Sequence, residues 1–361
     1  MLKYLLAFII LIHGLIHFMG FAKAFNYGNI TQLTKEISKP SGMLWLLTAF
    51  LFIATIILFL LKKDAWIFLG LASVIISQIL IFTVWQDAKF GTIVNVIMLA
   101  AIILNYGTYR FEKGYQKDVK ENLQRTNMLK TDLLTETDLL LLPGPVQRYL
   151  KYAGVLNKPK LKNIRIVFKG QMREKGKGFF PFTCEQYNSF DEPTRLFFMK
   201  ATMKGFTVAG YHRYSNATAL MDIRLFGLFP VVKKAGKDMD QAETVTLFND
   251  MCLMAPATLI DKRITWQAID SNSAKATFIN HGITISAILY FNEQGQLVDF
   301  ISNDRDVNHY PFSTPVSNYK NINGINIMTY GEAIWHYPDG KFVYGKFNLK
   351  EVEYNVTAIK E

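Results

Sequence analysis

The chain has 361 residues, enough for two or three domains; half of it is hydrophobic and only 19% is charged. An ordinary soluble protein carries about 25% charged residues. Intrinsic disorder, collagen-like repeats and small disulfide scaffolds are therefore excluded, and the uneven apolar excess predicts membrane spans followed by a soluble part. The formal charge of +11 divides into +5 for residues 1–110 and +6 for the remainder, where 32 basic residues face 26 acidic ones.

Four apolar runs fill the first third: Leu2–Phe21, Met43–Leu61, Ala65–Trp85 and Gly91–Tyr109. Each is close to the roughly 20 residues needed to cross a bilayer. Phe21-Ala-Lys-Ala24 has a faint likeness to a signal-peptidase site. Three further spans follow and the first run is long, so it reads as a retained helix. Trp45, Trp66, Trp85, Tyr106 and Tyr109 fall near span ends, where amphipathic rings favour the interface. Eight cations lie on the side of the N-terminus (Lys3, Lys62, Lys63, Arg110, Lys113, Lys117, Lys120, Arg125) against four on the other (Lys23, Lys35, Lys39, Lys89). That bias predicts both termini in the cytoplasm.

Polar residues within the spans are expensive and face protein. His13 and His17 are four apart, so they share a helix face. A short loop carries Asp87, and Asn95 follows in span four. With the N-terminus inside, His17 lies about 7 Å and Asn95 about 6 Å below the outer end of its helix, at the usual helical rise. His13, His17, Asp87 and Asn95 are thus candidates for an intramembrane polar cluster. Neutral histidines locking helices together account for the same pattern. Spans two to four hold no histidine, so intrachain haem ligation is not expected, and no metal or other cofactor is.

Beyond the spans, Arg110–Met128 reads as a helix leaving the membrane. Thr135-Glu-Thr-Asp138 is a helix-start signal. A short helix restarts at Pro145, with Val146, Tyr149, Leu150 and Ala153 at i, i+3, i+4, i+7 on one face. Ten Lys/Arg between Arg148 and Lys177 face Glu174 alone. This run is either solvated surface or a face held against anionic head groups. No nucleic-acid-reading module accompanies it. Cys184 and Cys252 are too few and too far apart for a framework and read as buried or free.

From Asn163 the period changes to two. Ile164–Lys169, Arg195–Ala201, Thr207–Ser215, Thr218–Ile223, Ala274–Ile279, Ile283–Phe291, Leu297–Ser302, Ile325–Trp335 and Phe342–Val352 read as strands. Asn292-Glu-Gln-Gly295, Asn321-Ile-Asn-Gly324 and Pro338-Asp-Gly340 read as hairpin turns. One strong helical interruption, Asp240–Leu253, ends at Ala255-Pro256. With no helix between other strands, the sheet should be antiparallel. Phe197 and Phe198, like Tyr211 and Tyr214, fall on opposite faces of their strands, so both faces are apolar. This predicts an α+β soluble domain: a half-barrel-like curved antiparallel sheet wrapped around the helix through Val245, Phe248 and Cys252. The expected division is a four-helix membrane domain at 1–110, a helical linker at 111–160, and a β-rich domain at 161–361 with its inserted helix at 240–254.

Several phrases carry a family likeness: Ile12-His-Gly-Leu-Ile-His-Phe-Met-Gly20, Asp87-Ala-Lys-Phe-Gly-Thr-Ile-Val-Asn95, Leu142-Pro-Gly-Pro-Val-Gln-Arg-Tyr-Leu150, Phe248-Asn-Asp-Met251 with Ala255-Pro256, and Ser302-Asn-Asp-Arg305. Ser313-Thr-Pro-Val316, Tyr319, Tyr330-Gly331, Ile334-Trp335 and Glu353-Tyr-Asn-Val356 follow. The portion after Leu142 resembles an uncharacterised bacterial family of unknown function, with a Leu-Pro-x-Pro-Val-x-Arg-Tyr-Leu helix before a β-rich domain. The β domain is similar in outline to the lipoprotein-carrier half-barrels. That likeness implies a fold, and the family brings no activity or catalytic residue to carry over.

The apolar concave side of such a sheet can be filled by its own side chains or by a greasy ligand. Phe248, Tyr211, Phe197, Trp335 and Trp266 are the candidates to line it. Glu243, Asn249 and Asp250 on the helix, with Asp304 and Arg305 after a strand, form a second candidate cluster. An Arg–carboxylate pair among them would lock helix to sheet; an acid/base site is the alternative. The sequence holds no phosphate loop, nucleophile elbow or metal-ligand spacing. The expected protein is therefore an integral inner-membrane protein with a cytoplasmic domain, in contact with the bilayer. It would bind an apolar or amphipathic, lipid-like molecule. An enzyme acting on such a substrate through Asp250 and Asp304, and a module docking another protein, are the alternatives.

Overall fold

The computed structural model describes residues 2–360. They divide into two compact units, Met1–Phe111 and Glu112–Glu361.

The first unit contains α1 (Leu2–Ala24), α2 (Lys39–Leu60), α3 (Ala65–Thr83), the single turn α4 (Trp85–Ala88) and the start of α5 (Gly91–Asn127). All but α4 are long and apolar enough to cross a membrane. Ser38 begins α2 by accepting the Ser41 amide, with Pro40 in the first turn. Small residues set the spacing of α1 and α2. A Cβ on Gly14 would lie 2.8 Å from the Phe52 Cβ, and one on Gly20 would collide with the Trp45 ring. Close backbone approach of this kind is what small residues permit between apolar helices. Ala7, Ile10, Phe52, Ile56, Trp66, Val74 and Met98 pack inside. Phe8, Ile12, Phe50, Ile57, Ile75 and Ile93 face outward.

In the second unit, the end of α5 runs without interruption into Asn127, so the fourth apolar run and the charged helix after it are one helix of 37 residues. The expected helix start at Thr135 is a capping box that opens only a 3-10 turn, Glu136–Leu139. Then comes α6 (Gly144–Ala153), with Pro145 in its first turn and left-handed Gly154 closing it. Val146, Tyr149, Leu150 and Ala153 are fully buried along it, as their spacing implies.

The strands are β1 (Asn163–Met172), β2 (Phe180–Ser189), β3 (Thr194–Met203), β4 (Phe206–Ser215), β5 (Thr218–Leu225), β6 (Phe229–Ala235), β7 (Ile264–Ala268), β8 (Ser273–Asn280), β9 (Ile283–Phe291) and β10 (Leu297–Ser302). They continue through β11 (Phe312–Ser313), β12 (Val316–Ser317), β13 (Lys320–Ile322), β14 (Ile325–Ile327), β15 (Tyr330–Tyr337) and β16 (Gly340–Tyr354), and α7 (Lys237–Met254) separates β6 from β7. Fourteen strands form one antiparallel sheet, ordered β6-β5-β4-β3-β2-β1-β16-β15-β11-β10-β9-β8-β7 with β12 also on β15. β13 and β14 pair separately as a hairpin.

Tight turns are supplied where the sequence can take positive φ. Lys204-Gly205, Asn216-Ala217, His281-Gly282 and Asn323-Gly324 each have both central residues there, the backbone of a two-residue hairpin loop. The strand expected at Ile325–Trp335 is split into β14 and β15. The strands β2, β6 and β7 lie outside the runs marked by alternation. β2 carries Thr183, Glu185, Gln186 and Asn188, which break the pattern.

The sheet order explains the helix. β6 and β7 are consecutive in the chain yet stand at opposite edges of the sheet. The connection must cross from edge to edge, and α7 makes the crossing within a curled, half-barrel sheet. It buries Val245, Leu247, Phe248, Met251 and Cys252. Phe248 stacks on Phe278 at 5.2 Å and meets Phe300 edge-on at 5.9 Å. α6 closes the same side, its Tyr149 hydroxyl donating to the Cys252 carbonyl at 2.9 Å. One arm of the half-barrel, β7 to β10, is thus filled by its own side chains.

The apolar residues on the other face of β2 to β4 have a different cover. Tyr115 of α5 stacks on Phe198 at 5.2 Å and meets Tyr211 edge-on at 5.5 Å. Curvature alone does not account for strands that are greasy on both faces; a helix lies on each side.

Candidate functional site

The other arm is hollow. A cavity of about 1040 Å³ opens between β1 to β6, β15, β16 and α7. Its walls are Phe168, Phe197, Met199, Ala201, Val208, Met221, Ile223, Leu225, Leu253, Trp335 and Phe347, among others. Ligand pockets of this size, lined mainly by apolar groups with a few placed polar ones, are the usual form of a small-molecule site.

The polar groups form its floor. Arg195 on β3 is buried and spans to α7. Its Nη1 meets Glu243 Oε2 at 3.1 Å and its Nε meets Asp250 Oδ2 at 2.8 Å. Nη2 donates to Gln186 Oε1 at 3.3 Å. Gln186 and Asn188 also donate to Asp250, at 2.9 and 3.1 Å. His212 Nδ1 lies 3.3 Å from Glu243 Oε1. Burial alone would push the Glu243 carboxyl up; Arg195 first, then His212, hold it down instead, at about 2. Arg195 in turn is held more firmly protonated by Asp250 and Glu243, against the effect of burial.

The two carboxylates seven residues apart on α7 do share a face, as their spacing implies. Their partner is Arg195, which alternation marks only as one position of a strand, and not Arg305. Arg305 reaches α7 differently, through Nε to the Thr246 hydroxyl at 3.1 Å. Asp304 turns away from the cavity. Its Oδ2 accepts from the Ser286 amide and hydroxyl at 2.6 and 3.0 Å, and its carbonyl accepts from Gln241 at 2.8 Å. Asn249 is buried and donates to the Thr314 hydroxyl at 2.7 Å. Glu243, Asn249, Asp250 and Arg305 all line the cavity.

Of the five aromatic candidates, Phe197 and Trp335 line the cavity. Phe248 is committed to the filled arm. Tyr211 faces the opposite side of the sheet, where its hydroxyl donates to Asp118 at 2.7 Å. Trp266 lies on the edge strand β7, its indole N–H donating to the Leu259 carbonyl at 3.2 Å. Arg195, Met199, Met221 and Phe347 are among the lining residues that patterning did not single out. Cys184 and Cys252 are buried and free; burial pushes the Cys184 thiol up to about 12, so it is inert.

Half of the basic run is paired with carboxylates. Lys151, Lys160, Arg165, Lys175 and Lys177 pair with Glu136, Asp138, the trio Glu185/Glu351/Glu353, Asp339 and Glu174. Arg148, Lys158, Lys162 and Arg173 donate to backbone carbonyls.

Within the first unit, His13 Nε2 lies 3.0 Å from Asn95 Oδ1 and 3.2 Å from Ser77 Oγ. His17 Nε2 lies 3.0 Å from the same Ser77 oxygen, and its Nδ1 bonds the His13 carbonyl at 2.8 Å. Asn95 Nδ2 donates to Ser77 and to Gln78 Oε1 at 3.1 and 3.0 Å. Ser77 and Gln78 join the cluster; a lone serine or glutamine in a span carries no sequence signal of that role. Asp87 does not join it. Its carboxylate accepts from the Thr34 amide and hydroxyl at 2.8 and 3.0 Å. Among the described residues no group of three His, Cys, Asp or Glu side chains is placed to hold a metal.

Residues 132–347 match a family of unknown function, DUF6544, and the chain belongs to that family. This bears out the likeness read from the Leu142–Leu150 helix and the motifs after it. Two solved structures are similar in general form. One is a LolA superfamily protein from Nitrosomonas europaea, with TM-score 0.34 and 11% identity, covering 58% of this chain and 92% of that one. The other is named as an outer membrane lipoprotein-sorting protein domain, from Vibrio parahaemolyticus, with TM-score 0.33 and 8% identity, covering 55% and 87%. No curated protein matches the sequence.

Proposed function

We propose that the protein binds an apolar or amphipathic, lipid-like molecule in the cavity of its half-barrel, while its four apolar helices hold it in a membrane. One observation carries this reading. The curled sheet fills one arm with Phe248, Phe278, Phe300 and α6, and leaves the other arm as an apolar hollow of about 1040 Å³. Interiors pack to the density of organic crystals, so a hollow this large is a place for a guest. The floor favours binding over acid/base chemistry. Glu243 and Asp250 are both taken up by Arg195, and Glu243 stays ionised far below neutral pH. Glu243 thus lacks the raised value a general acid needs.

The experiment is uptake of a hydrophobic fluorophore by the full chain held in amphipol, with Ala201→Phe as the blocked form. Ala201 lines the cavity, and a phenyl ring there occupies guest volume. Saturable uptake lost in the blocked form supports the reading, and equal uptake by both forms removes it. The cation count favours both termini in the cytoplasm of a bacterial cell. A reporter joined at the C-terminal end that reads as external would reverse that orientation.

A further inference from the structure

Four carboxylates line the cavity: Glu174, Glu243, Asp250 and Glu332. Each lies within 4.0 Å of a cation, two of them sharing one. Glu174 pairs with Lys177, Glu243 and Asp250 with Arg195, and Glu332 with Lys346. Arg305 lines the same space, half-buried, and among the described residues no carboxylate lies within 4.0 Å of it. The acids beside it in the chain are engaged elsewhere: Asp304 accepts from Ser286, and Asp306 accepts from Asn308. The guanidinium is nevertheless held firmly. Its Cζ sits 4.0 Å from the centre of the Phe312 ring, 5.5 Å from that of Trp335 and 5.8 Å from that of Tyr344. Nε donates to the Thr246 hydroxyl at 3.1 Å and Nη1 to the Tyr344 hydroxyl at 2.6 Å. Both acceptors are neutral. A guanidinium has five N–H donors, so three remain for something else.

Glu243 feels the Arg305 charge but is bonded to Arg195, and a half-buried cation with no directly bonded carboxylate is costly unless a partner arrives. A planar guanidinium fixed by aromatic faces, with donors to spare, is a preorganised receptor for an oxyanion. We propose that Arg305 receives the head group of the guest. The guest is a single-headed anionic amphiphile whose carboxylate or phosphate oxygens meet Arg305 while its chain lies against Phe197, Met199 and Leu225. This rests on the cavity being a ligand site and adds the chemistry of the ligand.

The test is titration of the full chain in amphipol with palmitate, with lysophosphatidate and with hexadecanol, followed by tryptophan fluorescence, for the native protein, Arg305→Gln and Arg305→Lys. Loss of a charge-assisted hydrogen bond predicts palmitate and lysophosphatidate binding weakened about tenfold to a hundredfold in Arg305→Gln. Hexadecanol binding should change less than about threefold, which also shows that the variant is folded, and Arg305→Lys should fall between. The tighter of the two anions in the native protein names the oxyanion. Native protein that takes hexadecanol as tightly as palmitate, or Arg305→Gln that weakens all three equally, overturns the head-group role and leaves the cavity standing as a binding site. Failure of the native protein to bind any of the three overturns both readings.

Discussion

The Arg195 guanidinium and the Glu243 carboxylate meet at 3.1 Å across the floor of the cavity, joining β3 to α7. A buried pair of this kind is weak evidence for stability in itself, but removing one partner strands the other and costs about 3–5 kcal/mol. Glu243→Gln leaves Arg195 its Asp250 partner at 2.8 Å, so it should lower the stability of the second unit by less than that, about 1–3 kcal/mol at neutral pH. Glu243 is held at about 2 in the folded protein, below its ordinary value of about 4.3 in an unfolded chain. Its contribution is complete above that ordinary value and fades as pH falls toward 2. Thermal unfolding of the full chain between pH 7 and 3 checks this. The native protein should lose stability on the acid side more steeply than Glu243→Gln, and parallel curves would remove the pair from that role.

Phe248 is fully buried between Phe278 and Phe300 in the filled arm. Phe248→Ala should cost about 3–5 kcal/mol by cavity formation, measured by denaturant unfolding. Binding of the fluorophore per folded molecule should stay within about threefold, because the ring does not line the hollow arm. A fall in affinity larger than the fall in folded fraction would join the two arms into one site.

Tyr115 covers Phe198 and Tyr211 on the convex side. Tyr115→Ala should cost about 3–5 kcal/mol and leave the cavity unchanged. Stability within about 0.5 kcal/mol of the native protein, the usual range for an inconsequential surface change, would mean that the end of α5 is not what hides this face.

Ser77 joins His13, His17 and Asn95 through a single hydroxyl. Hydrogen bonds between membrane helices are worth about 0.6 kcal/mol on average and about 1.7 at most. Ser77→Ala should lower stability in micelles by about that much, and a double-mutant cycle with Asn95→Ala should show coupling. Additive losses would leave the four side chains as neighbours without a shared lock.

Much of this architecture can be read from residue order. The four apolar runs, the α7 signal ending at Ala255-Pro256, and the turns at Asn323-Gly324 and Gly340 are local features, and each determines local backbone. The parity of Phe197/Phe198 and Tyr211/Tyr214 separates two faces correctly. It does not say which face is concave, and so Tyr211 reads as a lining candidate although it lies under Tyr115. Glu243 and Asp250 are visible as a helical pair. Their partner Arg195 is 48 and 55 residues away, and only the antiparallel stacking of the hairpins brings it under α7. The hollow itself is legible only as an excess of apolar strand positions. Whether such an excess is filled depends on where α6 and α7 settle: α6 packs on the β7 to β10 side, and α7 lies between the two arms, with Phe248 in the filled one and Glu243 and Asp250 facing the hollow.

Native mass spectrometry of the full chain, extracted gently and kept in amphipol, tests the central claim most directly. The binding account predicts a resolved population carrying one small amphiphile of discrete mass, released by organic extraction and absent from Ala201→Phe. A homogeneous native protein of bare polypeptide mass, which also takes up no added palmitate or hexadecanol, would contradict it.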